Sequence, residues 1–204
     1  MASSELLRWE ERYAQDAFVF GKEVNEFLKR QEARLLPGQN ALAVADGEGR
    51  NGVWLAQRGL HVTSVEGSQR AQEKARQLAM ERQVALNWVH ADLLTWEWPV
   101  ATFDVVVAIF IQFAKPLQRQ RIFDGMVKAL RPGGLLLLHG YGLRQLDFRT
   151  GGPSEADQLY TLEMMQEAFS ELDILDLREY EAEVCEGHGH LGRSALIDLV
   201  AKRS

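Results

Sequence analysis

Gly47, Gly49 and Gly52 stand in the order G-x-G-x-x-G behind the apolar run Ala41-Leu42-Ala43-Val44, and two acids, Asp46 and Glu48, sit inside the same turn. Glycines at this spacing let a chain turn tightly and bring its backbone close to a ligand. The helix that follows directs its first N–H groups at the same spot. Glu66 closes the next β-branched run about 20 positions on, where an acid accepts hydrogen bonds from ribose hydroxyls. Asp92 closes a third run, and Phe110 and Phe113 follow a fourth. Together these residue types suit a nucleoside-bearing ligand.

Each of these residues needs a strand end to hold it. The run at 41–45 lacks polar alternation and must be covered on both faces, as strands of a parallel sheet are. A helix at 51–58 stopped by Gly59, a strand at 61–65, a helix at 69–83 capped by Ser68 and a strand at 86–90 follow. The most apolar strand, 103–110, should be central, and a helix at 116–130 stopped by Pro132-Gly133-Gly134 leads to a strand at 135–138. This alternation predicts an α/β fold with a doubly wound parallel sheet that binds ligands at the carboxyl ends of its strands. The tail differs: a long connection at 141–156, a helix at 161–169, and strands at 174–183 and 193–200. Too little chain lies between those strands for a crossover helix, so they should pair as an antiparallel hairpin. Ahead of the first strand, helical segments at 5–15 and 25–35 make a helical arm over 1–38. Its Tyr13, Phe18 and Phe20 either form a lid over the site or staple the arm to the core.

A length of 204 residues, 46% apolar and 25% charged, suits one buried core, so 1–204 is read as a single domain. A net charge of -6 gives no general basic surface for a phosphate backbone, which disfavours nucleic acid as a partner. Cys185 stands alone, which excludes an internal disulfide framework and fits a reducing compartment. Acids and arginines occupy the first dozen positions where a signal peptide would be apolar, and no apolar run approaches bilayer thickness. A cytoplasmic protein with no membrane partner is expected; the sequence leaves its oligomeric state open.

Two ligands share the strand–glycine–acid logic. A dinucleotide such as NAD brings a pyrophosphate, which favours bare N–H groups, whereas S-adenosyl-L-methionine (SAM) brings a cationic sulfonium and an amino-acid tail. Asp46 and Glu48 favour the cation. An NAD enzyme also normally adds a substrate domain, for which this chain has no room. SAM is therefore the expected cofactor, with an NAD-type oxidoreductase as the alternative.

The chain resembles the class I SAM-dependent methyltransferases. Trp9-Glu10-Glu11-Arg12-Tyr13 together with 46–51 makes it similar to the branch containing the tellurite-resistance and thiopurine methyltransferases. The resemblance implies a Rossmann-like, seven-stranded, mostly parallel sheet of order 3-2-1-4-5-7-6 with strand 7 antiparallel. It also implies that Ala45, Asp46, Gly47, Glu48 and Gly49 approach the methionine part of SAM. Glu66 would take the ribose hydroxyls, Asp92 the adenine amino group with Leu93 beside it, and Ile109 and Phe110 would lie by the sulfonium. The family's first loop usually reads Asp-x-Gly-x-Gly-x-Gly; here Ala43 and Ala45 replace its Asp and first Gly, and Asp46 is expected to compensate.

Methyl transfer from a sulfonium is a direct displacement, so the protein chiefly aligns the partners and excludes water. A thiolate or other soft nucleophile needs no dedicated base, whereas an amine or hydroxyl can need one. No catalytic residue is assigned; Phe113, Tyr141 and Arg144 are candidates for the substrate pocket, and His139 reads as a packed, hydrogen-bonded residue. Arg50 and Asn51 either cap the helix or touch substrate. His188 and His190 flank Gly189 without a third ligand nearby and are read as an exposed hairpin loop, so no metal is expected. Phe110-Ile111-Gln112-Phe113 lacks the Asn-Pro-Pro-Tyr-like run of nucleic-acid amino-methyltransferases. A small-molecule acceptor is expected, a thiol or chalcogen foremost. A SAM-binding regulatory protein without turnover is the second alternative.

Overall fold

The computed structural model describes residues 4–187 and 189–204. Strands β1 (Asn40–Val44), β2 (His61–Glu66), β3 (Asn87–His90), β4 (Phe103–Ile109), β5 (Leu130–Tyr141), β6 (Leu172–Glu186) and β7 (His190–Arg203) form one sheet of order β3-β2-β1-β4-β5-β7-β6. β1 to β5 are parallel, and β7 runs antiparallel to both β5 and β6. The sheet is therefore the one the resemblance implied.

Side-chain alternation assigns its faces. Leu42, Val44, Val106, Leu136 and Leu138 point one way, into a core closed by Ile122, Phe123 and Met126 of α5 (Pro116–Ala129), and by Met165 and Phe169 at α7 (Leu162–Ala168). Ala41, Ala43, Val105, Val107 and Leu137 point the other way, onto Phe27 and Leu28 of α2 (Glu26–Arg30) and Leu55 of α3 (Arg50–Gln57). Burial on both faces explains why the strands carry no polar alternation. Ser68 caps α4 (Gln69–Glu81) by accepting from Ala71 N, and Asn25 caps α2 by accepting from Phe27 N and Leu28 N. α1 (Ser4–Arg12) and the short α6 (Gln145–Phe148) complete the helices.

The first helix, expected at 5–15, ends at Arg12, and three further boundaries differ from expectation. The helix expected at 25–35 ends at Arg30, and a 3-10 turn over Glu32–Arg34 follows, because the chain tightens at Gln31, whose N–H donates to Leu28 O. β5 begins at Leu130, paired with Phe103, so Pro132-Gly133-Gly134 is a bulged part of the strand rather than the gap before it. The hairpin is longer at its tip than the glycines suggested: β6 and β7 pair as far as Glu186↔His190. Pairing of β7 with β5 stops at Tyr141↔Leu196, so 190–195 project beyond the carboxyl end of β5 by roughly 20 Å of strand. The hairpin thus overhangs the end of the sheet where Glu66 and Asp92 lie.

Candidate active site

A cleft of about 400 Å³ runs along the carboxyl ends of the strands. From the sheet edge inward its wall carries Asp92 and Leu93 after β3, Glu66 at the end of β2, Ala45, Asp46, Gly47 and Glu48 after β1, and Ile109 and Phe110 at β4. Ala45 and Phe110 both hold positive φ, 47° and 54°, which turns the chain sharply at the two central strand ends.

The acids of the glycine loop also bond to the protein's own backbone and side chains. Asp46 is buried and accepts from Gly52 N at 3.0 Å and Ser64 Oγ at 2.8 Å. Burial pushes its carboxyl up to about 7, against those hydrogen bonds. Glu66 accepts from Gly47 N and Ser68 N, each at 2.8 Å, and burial raises its carboxyl too. Each carboxylate oxygen has a second lone pair, so Glu66 keeps acceptor capacity towards the cleft. Glu48 accepts from Val19 N at 2.8 Å and Phe20 N at 3.3 Å and pairs with Lys74 Nζ at 2.9 Å, so it fastens the N-terminal arm to the loop. Replacing Glu48 with alanine is expected to cost about 3 kcal/mol, since it leaves two amides without partners and Lys74 with only the Ala17 carbonyl. Faster hydrogen exchange at Val19 and Phe20 would accompany that loss; unchanged exchange there would remove Glu48 as the fastener.

The arm supplies more of the site than its sequence indicated. Trp9 and Tyr13 stack at 5.6 Å between centroids, Phe20 lies 6.3 Å from Trp9, and all three rings line the cleft. Tyr13 and Phe20 are thus wall residues, whereas Phe18 packs away from the cleft beside Val53 and Leu78. A Cβ on Gly47 would sit 2.9 Å from the Tyr13 hydroxyl, so this glycine lets the arm close on the loop.

Other expectations are corrected by position. Gly49 does not line the cleft: its absent side chain would meet Ala75 Cβ at 2.6 Å, so it serves the approach of α3 to α4. Tyr141 is 1% exposed, and its ring packs 4.6 Å from Phe110 behind the wall. Arg144 pairs with Glu181 in a separate groove because the turn after β5 carries it outward. Phe113 does line the cleft. His139 is packed: its Nδ1 lies 2.7 Å from Asp198 Oδ1 and its ring stacks on Phe27. Arg50 and Asn51 line the cleft while also tying elements together; Asn51 Oδ1 accepts from Asn25 N, and Arg50 Nη2 donates to Glu186 at 2.6 Å. His188 lies outside the described residues. His190 is not in an exposed loop: it is 6% exposed, starts β7 and lines the cleft against Phe110 at 4.2 Å and Phe20 at 4.4 Å. The signal that places it there is the hairpin register, which starts the strand three residues before the expected 193, where the glycines concealed it. Among the described residues no group of three or more His, Cys, Asp or Glu could hold a metal ion, and no helix is long and apolar enough to cross a membrane.

Residues 41–134 match a family described as a methyltransferase domain. A tRNA N(3)-methylcytidine methyltransferase of Drosophila melanogaster is 38% identical over 77 residues, 35% of this chain and 24% of that protein. An uncharacterized methyltransferase of Synechocystis is 29% identical over 121 residues, 59% of this chain and 55% of that protein. The chain thus spans about a quarter and about half of these relatives' lengths. Among solved structures, one from work on the conversion of a disulfide bond into a thioacetal group during echinomycin biosynthesis superposes with a TM-score of 0.78 at 17% identity, covering 98% of this chain and 93% of that one. The N-methyltransferase NodS of Bradyrhizobium japonicum in complex with S-adenosyl-L-homocysteine gives 0.71 at 17%, covering 98% and 99%. TehB of Haemophilus influenzae gives 0.71 at 14%, covering 98% and 67%. The chain has the class I SAM-dependent methyltransferase fold.

Proposed function

We propose that this fold acts here as an enzyme transferring a methyl group from SAM to a small-molecule acceptor. One observation carries the choice of SAM over a dinucleotide: the N–H groups of the loop's three glycines are already spent. Gly47 N donates to Glu66, Gly49 N to Asp46 O and Gly52 N to the Asp46 carboxylate. A pyrophosphate would find carboxylates where it needs donors, whereas a cation finds acceptors. Glu66 would hold the ribose, Asp92 and Leu93 the adenine, the loop from Ala45 to Glu48 the methionine part, and Ile109 and Phe110 the side of the sulfonium. SAM supplies an electrophilic methyl group when bound. The protein's part is to align the acceptor with it and exclude water, which the arm rings and the hairpin do by roofing the cleft.

A thiol or chalcogen is the leading acceptor. The inner cleft is walled by Phe20, Phe110 and Phe113, which suits a soft, weakly hydrated nucleophile. The fly relative is named for a tRNA substrate, but its match covers 77 residues and this chain's net charge of -6 argues against nucleic acid here. The tellurite-resistance and thiopurine branch remains our assignment, on Trp9 to Tyr13 lying over the glycine loop.

Calorimetric titration should show binding of SAM and S-adenosylhomocysteine and none of NAD; the opposite pattern would establish the oxidoreductase alternative. SAM binding without transfer to thiol, hydroxyl, amine or metalloid acceptors would leave the regulatory one. SAM affinity is also expected to rise as pH climbs from 6 to 8. Asp46, with a carboxyl near 7, must release its proton to face a cation, and each tenfold change corresponds to about 1.4 kcal/mol. Asp46→Asn should flatten that dependence. In the free protein the same raised value means that Asp46 contributes less stability as pH climbs from about 4 towards 7, because the unfolded chain gives up its proton first. Asp46→Ala should bind labelled SAM markedly more weakly, through loss of the loop's shape.

A further inference from the structure

His190 sits at the inner end of the cleft under conditions that its packing alone does not require. Its ring is wedged among Phe20, Phe110 and Tyr141 at 4.4, 4.2 and 5.5 Å, yet its buried Nδ1 has no hydrogen-bond partner. Glu186 Oε2 lies 3.9 Å from Nδ1, across the last pair of the hairpin. Glu186 is itself held in place, by Arg50 Nη2 at 2.6 Å and Asn25 Nδ2 at 2.9 Å. An imidazole facing a cleft, with a fixed carboxylate behind it, is arranged as a base and its orienter.

We propose that His190 is the proton acceptor in methyl transfer, oriented by Glu186, and that the acceptor substrate is a protonated sulfur or oxygen nucleophile rather than an amine. The proposal rests on the methyltransferase reading above. As a lone pair of the acceptor's sulfur or oxygen forms its bond to the methyl carbon, the carbon–sulfonium bond pair returns to the donor sulfur and the acceptor's proton passes to His190 Nε2. Glu186 faces the resulting imidazolium, which later returns the proton to water.

The charges around the ring support the choice of acceptor. Burial lowers His190 to about 4 against the pull of Glu186, with Arg50 and Arg12 lowering it further, so the imidazole is neutral at working pH. Glu186 stays ionised: burial raises it, but the Nδ1–H of His190 directed at it from 3.9 Å, with Arg50 and Asn25, outweighs that and holds it at about 2. So weak a base takes a proton only from a group made strongly acidic by bond formation. A thiol or hydroxyl becomes one on methylation; an amine, which yields a stable ammonium, does not.

Nitrogen-15 NMR of the ring in the unmodified protein should show the Nδ1–H tautomer with Nε2 bare; a protonated Nε2 overturns the proposal. With SAM saturating at pH 8, transfer should then be followed to an alkyl thiol, still protonated, and to an aromatic thiol, already ionised. His190→Gln should lose ~10²-fold in kcat on the alkyl thiol and at least tenfold less on the aromatic one, with the Kd for SAM within about threefold of the wild type. Equal loss on both thiols, or none, overturns the role of His190. Wild-type transfer to amines but to neither thiol nor phenol overturns the acceptor class. Failure of the wild type to bind SAM would instead remove the methyltransferase reading beneath it.

Discussion

Replacing Glu66 with alanine is expected to weaken SAM binding by ~10²-fold or more. Two hydrogen bonds from ribose hydroxyls to one carboxylate are worth about 1.5–3 kcal/mol each, and their loss together exceeds 2.7 kcal/mol even at the low end. The same carboxylate accepts from Gly47 N and Ser68 N, so the variant should also melt earlier. Glu66→Gln separates the effects: it retains one acceptor oxygen and should recover part of the affinity. Calorimetry beside thermal unfolding reads both. If Glu66→Ala binds SAM like the wild type, the ribose does not lie against β2 and the proposed orientation of the ligand fails.

Asp198→Ala should cost about 3 kcal/mol of stability, since it takes the acceptor from buried His139 Nδ1 and from three further donors. Asp198 is fully buried on β7 and accepts from His139 Nδ1 at 2.7 Å, Arg178 Nη2 at 2.8 Å, Arg30 Nη2 at 3.0 Å and Tyr180 Oη at 3.1 Å. Burial pushes its carboxyl up, but His139 and the two arginines outweigh burial and hold it below the usual range. The contribution is therefore present at neutral pH and lost as pH falls through that depressed value, so the gap between wild type and variant should narrow in acid. For a chain of this size the loss is a fall in melting temperature of roughly 10 °C at pH 7. The damage should reach the cleft, because His139 packs edge-on against Phe110 at 4.7 Å. An unchanged melting temperature would reduce the cluster to surface charge.

What the sequence disclosed and what it hid divide along physical lines. Glu66 and Asp92 were legible because a strand end is a local feature, set by where an apolar run stops, and a parallel sheet brings all such ends to one rim. Asp46 and Glu48 are legible as acids at the cleft but not in their second duty: besides lining it, their carboxylates hold Gly52, Ser64 and the arm. Which side of a turn an acid faces depends, beyond Gly52, on donors 18 to 29 positions away, which no local pattern encodes. Tyr141 and Arg144 were misplaced because following β5 past its end says nothing of where the chain then bends. His190 was hidden by its neighbours: Gly187, Gly189 and Gly192 look like a loop, yet strand pairing runs on to Glu186 and His190.

The roof of the cleft joins the two extremes of the chain. Gly189 N bonds to Val19 O at 3.0 Å, and Asn25 bonds to Glu186 across 161 positions, whereas Gly47 and Glu66 are only 19 apart. Closing the longer loop costs more chain entropy and rewards it only after the sheet exists. The floor can therefore form early from β1 to β4, and the roof comes last. A chain whose hairpin has not yet docked therefore has the rim of strand ends but no ceiling over it.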